Sequence, residues 1–400
     1  MYKIYDGLRV LEIADVRGSF CGKMLASFGA EVIKVEKPGG DESRMQGPFA
    51  GDRPGAERSI SFAYQNTGKK SVELDLTSPA GRTVFLELAK TADVLIETLA
   101  PGKLDEWHIG YGELSAANPK IIMLSVTPFG QTGPRAQWRA STDLITDAFA
   151  GCMAEVGYKG KGPLHLGYDI QSMAASCYGL VAIQAAYHNR LYTGRGTHID
   201  LAQEEAVAVW RSQLLGYVQV SGKNQPLYGG EGYVRQGLVN CKDGYAYVMI
   251  GGKWKELLTW FSDKGLDITV FDDPVYEPHT YEILTKWDSV LLERFNQLGA
   301  MYTKTEFMEE GQRRRIPCCS LESPDTLLDN KQLLSRGYFE EIDHPVLGKR
   351  HYPAYQAKMT AIPLEADGAA PLLGADTEAV LSELGYSAKE IADMREGGVI

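Results

Sequence analysis

The chain has 400 residues, 44% of them apolar, and 41 lysines and arginines against 52 acidic residues give it a net charge of −11. That length exceeds one ordinary hydrophobic core and predicts about two domains of a soluble globular protein. The negative charge excludes nucleic acid and anionic membrane as general partners, because both would repel it, but not a local basic pocket for a phosphorylated small molecule.

The opening stretch "MYKIYDGLRVLEIADV" has no apolar run behind a basic start, so no signal peptide is expected. No later stretch approaches the roughly 20 apolar residues of a membrane span, and a cytoplasmic location is the expectation. The first elements form a βαβ pattern. "LRVLEIA" reads as a strand, "GSFCGKMLASFGA" as a short amphipathic helix ending at Gly29, and "EVIKVEK" as a second strand. "SPAGRTVFLELAKTA" reads as a helix with Pro79 in its first turn, where the missing N–H costs little. "ADVLIET" and "KIIMLSVTPFG" are further strands. This alternation predicts an α/β fold: a large domain with a Rossmann-like, mostly parallel sheet covered by helices.

A long helical pattern starts at Asp169 and stops at "TGRG"; Ala174, Ala175, Ser176, Gly179, Ala182, Ala185 and Ala186 on it predict close packing against another backbone. "THIDLAQEEAVAVWRSQLLGY" supplies a strand and another helix. From about residue 220 the texture changes to a loop, a strand "YAYVMIG" and several helices. The expected organisation is a large domain over 1–215, a smaller α+β domain over 225–330, and a segment 340–400 returning to the large domain. "DTEAVLSELGYSAKEIADM" reads as one final helical segment.

Six cysteines, at 21, 152, 177, 241, 318 and 319, form no CxxC pair and are expected as reduced, mostly buried thiols. His188 and His198 stand apart from other candidate ligands, so no metal site is expected. The βαβ unit invites a dinucleotide reading, with Glu36 where a ribose-binding acid would sit. Its glycines, Gly18 and Gly22, do not make GxGxxG, and Glu36 reads instead as a solvated strand-end acid. "VEKPGGDESR" reads as an ordinary charged turn; its functional alternative is a loop whose Lys37 and Arg44 meet phosphates. "ETLAPGKLDEW" and "TPFGQTGPRAQWR" raise the same choice at the strand ends where open α/β sheets place ligands. "YGGEGY" reads equally as a linker or as a lid. Asp169 is a good helix N-cap; the helix dipole there would favour an ionised, reactive carboxylate. Local physics leaves cap and nucleophile both open.

"GLRVLEIADV", "FGAEVIKVEKPGGDESR", "NTGKKSVELDL", "TADVLIETLAPGKLDEWHIGYGELSAANPKIIMLSVTPFGQTGP" and "YDIQSMAASCYGLVAIQAAYHNRLYTGRGTHIDL" together resemble the family III CoA-transferases. These include formyl-CoA:oxalate, carnitine and benzylsuccinate CoA-transferases and share their fold with α-methylacyl-CoA racemases. The resemblance spans most of the chain. It implies an enzyme that moves CoA from an acyl-CoA, succinyl-CoA among the donors considered, to a carboxylic acid, with Asp169 as the catalytic nucleophile passing through anhydride and thioester intermediates. It implies CoA contacts at Val16, Lys37, Leu74, Thr98, Leu99 and Arg139, and a lid at Gly229, Gly230 and Gly232. No permanently bound cofactor is implied; CoA thioesters are substrates. An interlocked, ring-like dimer is implied, homodimeric or with a related subunit.

The chain departs from the family pattern in three places. Arg17-Gly18-Ser19 replaces Ala-Gly-Pro after the first strand, Thr98-Leu99 replaces Asn-Phe, and Glu106 stands near a usual basic residue. Arg17, just beyond the first strand, is either a surface loop arginine or the group that holds a substrate carboxylate with its fork. A racemase would need a histidine in "RASTDLITDAF", where Ser141, Thr142 and Asp143 stand instead, so the transferase reading is preferred. A non-catalytic subunit of a heteromeric transferase is the remaining alternative.

Overall fold

The computed structural model describes residues 4–138, 142–154, 156–157, 162–165, 167–224, 236–249, 253–276, 289–354, 357–362 and 368–400. Its chain divides into two compact units, one formed by 1–153, 164–224 and 335–400, the other by 154–163 and 225–334.

The first unit is built on six parallel strands: β1 Arg9–Ile13, β2 Glu31–Glu36, β3 Lys70–Glu73, β4 Val94–Glu97, β5 Ile122–Thr127 and β6 His198–Ala202. Their order across the sheet is β3-β2-β1-β4-β5-β6. Successive residues of each strand face opposite sides. Val10, Val32, Val94 and Ile122 enter one core, and their neighbours Leu11, Ile33, Leu95 and Met123 enter the other. Both faces are covered, which is why the strands read as nearly continuous apolar runs.

The intervening helices are α1 Val16–Ser27, α2 Ile60–Gln65, α3 Pro79–Lys90, α4 Lys103–Glu106, α5 Tyr111–Ala117, α6 Asp143–Phe149, α7 Ile170–Thr193, α8 Gln203–Ala208 and α9 Ser212–Ser221. α1 begins at Asp15, whose side chain accepts from the Arg17 N–H, and α3 at Ser78, followed by Pro79 as the sequence suggests. α7 ends where "TGRG" predicts, at Gly194 in the left-handed conformation. Its small residues bring it onto α1 and the sheet; a Cβ on Gly179 would lie 2.8 Å from Leu124 Cδ2.

The C-terminal segment seals the β3 edge. Ser71 N donates to Asp376 Oδ2, Glu73 N to Thr377 Oγ1 and Asp75 N to the Val399 carbonyl. The segment expected as one final helix is two, Thr377–Glu383 and Ala388–Glu396, because Gly385 at φ 95° and the capping box of Ser387 with Glu390 stop one and start the other.

The second unit carries an antiparallel sheet of β7 Gln236–Cys241, β8 Gly244–Met249 and β9 Cys318–Ser320. Helices α10 Trp254–Asp263, α11 Ser289–Gly299 and α12 Lys304–Arg313 contribute Trp260, Phe261, Phe295 and Phe307 to its buried core. No helix among the described residues is long and apolar enough to cross a membrane. All six cysteines are free thiols, but only Cys21, Cys152 and Cys318 are buried; Cys177 and Cys319 are exposed, so "mostly buried" overstated their burial.

Candidate active site

The strand order creates the site. From β1 the chain works outward through β2 to β3, then returns to place β4 on the other side of β1. The loops after β1 and β4 therefore diverge, and ligands of open α/β sheets occupy the resulting crevice beyond the strand C-termini. A cavity of about 940 Å³ lies there. Its walls include Ile13 at the end of β1, Glu36 at the end of β2, Leu74 just past β3 and Thr98 just past β4.

Of the residues assigned to CoA from the sequence, Val16, Lys37, Leu74, Thr98 and Leu99 line this one cavity, and Arg17 and Asp169 line it too. Arg139 and the glycines Gly229, Gly230 and Gly232 lie outside the described residues. Lys37 is exposed, with its ammonium 3.1 Å from Glu42. Such an exposed pair is weak and exchangeable, so the ammonium is open to an anion.

Arg44 and Glu36 correct the expectations placed on them. Arg44 is fully buried and clamps Glu36 bidentately, Nε to Oε2 at 2.6 Å and Nη2 to Oε1 at 2.8 Å. Its guanidinium also lies 4.0 Å from the centre of the Phe62 ring. A guanidinium so committed holds the turn to the sheet and cannot reach a phosphate. Glu36 is not a solvated acid: it is buried and also accepts from Ser71 Oγ at 2.6 Å and from Asp41 N at 3.1 Å. Burial alone would raise its pKa, but Arg44, the charge of Lys34 and the Ser71 hydroxyl keep its carboxyl below the usual range.

Asp169 stands at the N-cap position of α7, and its carbonyl accepts from Met173 N, yet its carboxylate makes no capping hydrogen bond. The cap comes from α6. Asp143 accepts from Ser172 N at 2.9 Å through Oδ2 and from Ser172 Oγ at 2.6 Å through Oδ1, and Gln203 Nε2 donates to the same Oδ1 at 2.7 Å. The expectation that Asp169 caps its own helix is thus overturned: a long-range aspartate has taken that work and left the Asp169 carboxylate in the cavity. Its ionisation is also not favoured as the dipole argument expected. Burial, then the nearby carboxylates of Asp143 and Asp15, push its pKa up, partly offset by a hydrogen bond from Gln65. Tyr168, immediately before it, adopts φ +63°, a conformation costly for a bulky residue and concentrated at functional sites.

Arg17 faces the cavity with its fork already engaged. Nε donates to both oxygens of Asp15 at 3.0 Å, and Nη2 donates to Asp15 Oδ2 at 2.5 Å and to the Thr98 carbonyl at 3.0 Å. Asp15 N in turn donates to Thr98 Oγ1 at 2.9 Å, so the two diverging loops are tied together at the crevice. Beneath them, buried Glu97 accepts from Leu99 N at 2.7 Å and fixes the Leu99 wall; burial pushes its carboxyl up to about 7, with Ser125, Leu99 and Arg17 acting in the opposite direction. Sequence reasoning missed Asp15, Gln65, Glu97 and the capping role of Asp143. Only Asp15 had a signal, a cap residue directly after a strand. No group of three or more potential metal ligands occurs among the described residues.

Comparison with known proteins agrees with this architecture. The profile of a family described as CoA-transferase family III matches residues 5–377. The chain is 31% identical over 403 residues to the succinyl-CoA:(R)-benzylsuccinate CoA-transferase subunit BbsE of Thauera aromatica, covering 99% of this chain and 98% of that one. It is 30% identical to a succinate–glutarate CoA-transferase of Agrobacterium fabrum, covering 95% of each chain. Among solved structures, a CAIB/BAIF family protein from Brucella suis superposes with a TM-score of 0.84 at 27% identity, covering 96% of this chain and 100% of the other.

Proposed function

The chain belongs to CoA-transferase family III, and from that premise we propose that it exchanges CoA between two carboxylic acids through covalent intermediates on Asp169. The observation that carries this reading is the Asp169 carboxylate, freed from capping, in the cavity that Val16, Lys37, Leu74, Thr98 and Leu99 also line. An oxygen of Asp169 attacks the thioester carbonyl; the C–S bond breaks, CoA thiolate leaves and an acyl-aspartyl anhydride forms. The thiolate attacks the aspartyl carbonyl, releasing the first acid and leaving an aspartyl-CoA thioester. The acceptor carboxylate attacks that carbonyl, giving a second anhydride and thiolate. The thiolate then takes the new acyl group and restores Asp169. Every intermediate holds an activated acyl bond, anhydride or thioester, so the energy of the thioester is never lost to water, which is the value of a covalent route. Because anhydrides hydrolyse readily, water exclusion is required, and Gly229, Gly230 and Gly232 are assigned the covering lid.

Lys37 is assigned to a CoA phosphate, Val16, Leu74, Thr98, Leu99 and Arg139 to the rest of CoA, and Arg17 to a carboxylate of the acid. The names of several relatives contain succinyl-CoA and a second dicarboxylic acid, which supports a dicarboxylate pair here, succinyl-CoA serving as donor in the cytoplasm. Screening acyl-CoA donors against mono-, di- and aromatic carboxylic acids, with products resolved by mass, tests this. New acyl-CoA formed with release of the donor acid is the expected result. Hydrolysis alone, or epimerisation of an α-methylacyl-CoA, would refute it.

The assembly assigned is an interlocked dimer, of identical or related subunits, each chain comprising a large domain and a smaller one. Val181, Leu191 and Tyr192 on α7, and Trp210, Leu215 and Val220 in the segment that follows β6, are large apolar side chains left exposed in the single chain, which supports a partner surface here. Sedimentation is expected to show a dimer that persists on dilution until it unfolds. A stable, active monomer would contradict this assignment.

A further inference from the structure

Arg17 and Asp15 form a pair whose geometry bears on acid selection, given the reading of the cavity above. We propose that the Asp15 carboxylate is an internal stand-in for the remote carboxylate of a dicarboxylic acid: it occupies Arg17 until such an acid displaces it. Asp15 thereby determines how strongly the site prefers dicarboxylates.

Three observations support this. First, the pair lines the cavity, and the contact is made by the side of the guanidinium carrying Nε and Nη2, the arrangement in which a substrate carboxylate would bind. Nη1 makes no hydrogen bond among the described residues.

Second, when the two side chains part, Asp15 keeps a donor on one oxygen, and Oδ2, whose donors both come from Arg17, is left to solvent at a side chain 29% exposed. Asp15 Oδ1 still accepts from the Arg17 backbone N–H at 3.0 Å and still starts α1. The Arg17 backbone is itself anchored, because its carbonyl accepts from Ser176 Oγ at 3.0 Å, so only the side chain must move.

Third, the surroundings explain why a stand-in is needed. The cavity wall holds the carboxylates of Asp15, Asp143 and Asp169, and Arg17 lies in the field of Asp143 and Glu97 as well as Asp15. A guanidinium without a partner would be drawn toward Glu97 or Asp143, the other carboxylates that act on it, and Asp143 caps the helix of the nucleophile. Asp15 holds the cation away while the site is empty. A monocarboxylic acid spends its one carboxylate on the reaction and offers Arg17 nothing. A dicarboxylic acid presents a second carboxylate that replaces Asp15 like for like.

The test uses the complete protein and equilibrium binding of glutarate and pentanoate, acids of equal length, measured by calorimetry on native protein, Asp15→Asn, Arg17→Ala and the double variant. Asparagine retains a good helix cap, and Asp15→Ser is a second capping replacement should Asn fold poorly. Removing the competing charge is expected to tighten glutarate relative to pentanoate by roughly tenfold or more, the range of a charge-assisted hydrogen bond. Arg17→Ala should weaken glutarate selectively, and the gain from Asp15→Asn should vanish in the double variant. Equal changes for both acids, no change, or a gain that persists without Arg17 would each overturn the proposal. Binding is read without turnover, so a failure of covalent chemistry at Asp169 is distinguishable from a failure here.

Discussion

Asp169→Asn is expected to lose turnover by about three orders of magnitude or more while unfolding no more easily than the native protein. Removing a covalent nucleophile eliminates the route itself, and Asp143, a carboxylate that acts on it, is held by Ser172 and Gln203 in its capping role. Stability should hold because the Asp169 carboxylate caps nothing. Asp169→Ala should for the same reason fold as well as Asp169→Asn, whereas Asp143→Ala should destabilise α7. The pH dependence carries a sign. The folded-state pKa of Asp169 lies above its ordinary value, so its ionisation opposes folding once the pH exceeds the unfolded value. Both Asp169 variants should therefore equal or exceed the native protein in stability at neutral pH, and that difference should disappear in acid. In the native protein turnover should fall as the pH drops through the raised pKa. Normal turnover by the Asn variant, or a loss of stability in both variants, would contradict these expectations.

Gly22→Ala is expected to cost several kcal/mol of stability, although alanine is the better helix former. Gly22 lies inside α1, where an added Cβ would stand 1.8 Å from Glu12 Oε2 and 3.2 Å from Lys69 Nζ. Glu12 cannot step aside cheaply. It is fully buried, Lys69 Nζ donates to both its oxygens at 2.9 and 2.8 Å, and Lys34 Nζ lies 3.2 Å from Oε1. Displacing one member of such a cluster leaves buried charge uncompensated, a loss of about 3–5 kcal/mol. Gly112→Ala, in exposed α5 with nothing within 4 Å of the added carbon, should be neutral or slightly stabilising. Denaturant unfolding of the two variants checks the pair. Equal stability would show that the Glu12 cluster yields more readily than its packing implies.

That cluster also shows where sequence reasoning stops. The strands β1, β2, β4 and β5 were legible because burial on both faces makes them continuous apolar runs. α3 and α7 were legible because their starts and stops carry Pro79 and Gly194. β3 was not read as a strand: only four residues long, with charges at both ends, it is defined by its pairing with β2 and by the C-terminal segment along its edge. Gly18 and Gly22, which do not spell a nucleotide motif, are required by close approach, to Ala14 and Thr98 for one and to Glu12 for the other, which no spacing shows. The site was legible as a set of residues because strand-end loops converge in this topology. Its couplings were not. Asp143 is 29 positions from the serine it caps, and Thr98 is 81 positions from the arginine it receives. Helix-capping preference applied locally gave Asp169 the work that Asp143 performs. The Glu36–Arg44 clamp was misread for the same reason: a charged turn looks solvated until the sheet and Pro371 close over it.

The most direct measurement is chemical trapping of the activated carboxylate. Native protein incubated with succinyl-CoA and hydroxylamine should acquire a hydroxamate, and peptide mapping by mass spectrometry should place it on Asp169, with no modification when the thioester is omitted and none in Asp169→Asn. A hydroxamate on another residue, or full turnover without any trapped intermediate, would show that Asp169 is not the covalent nucleophile.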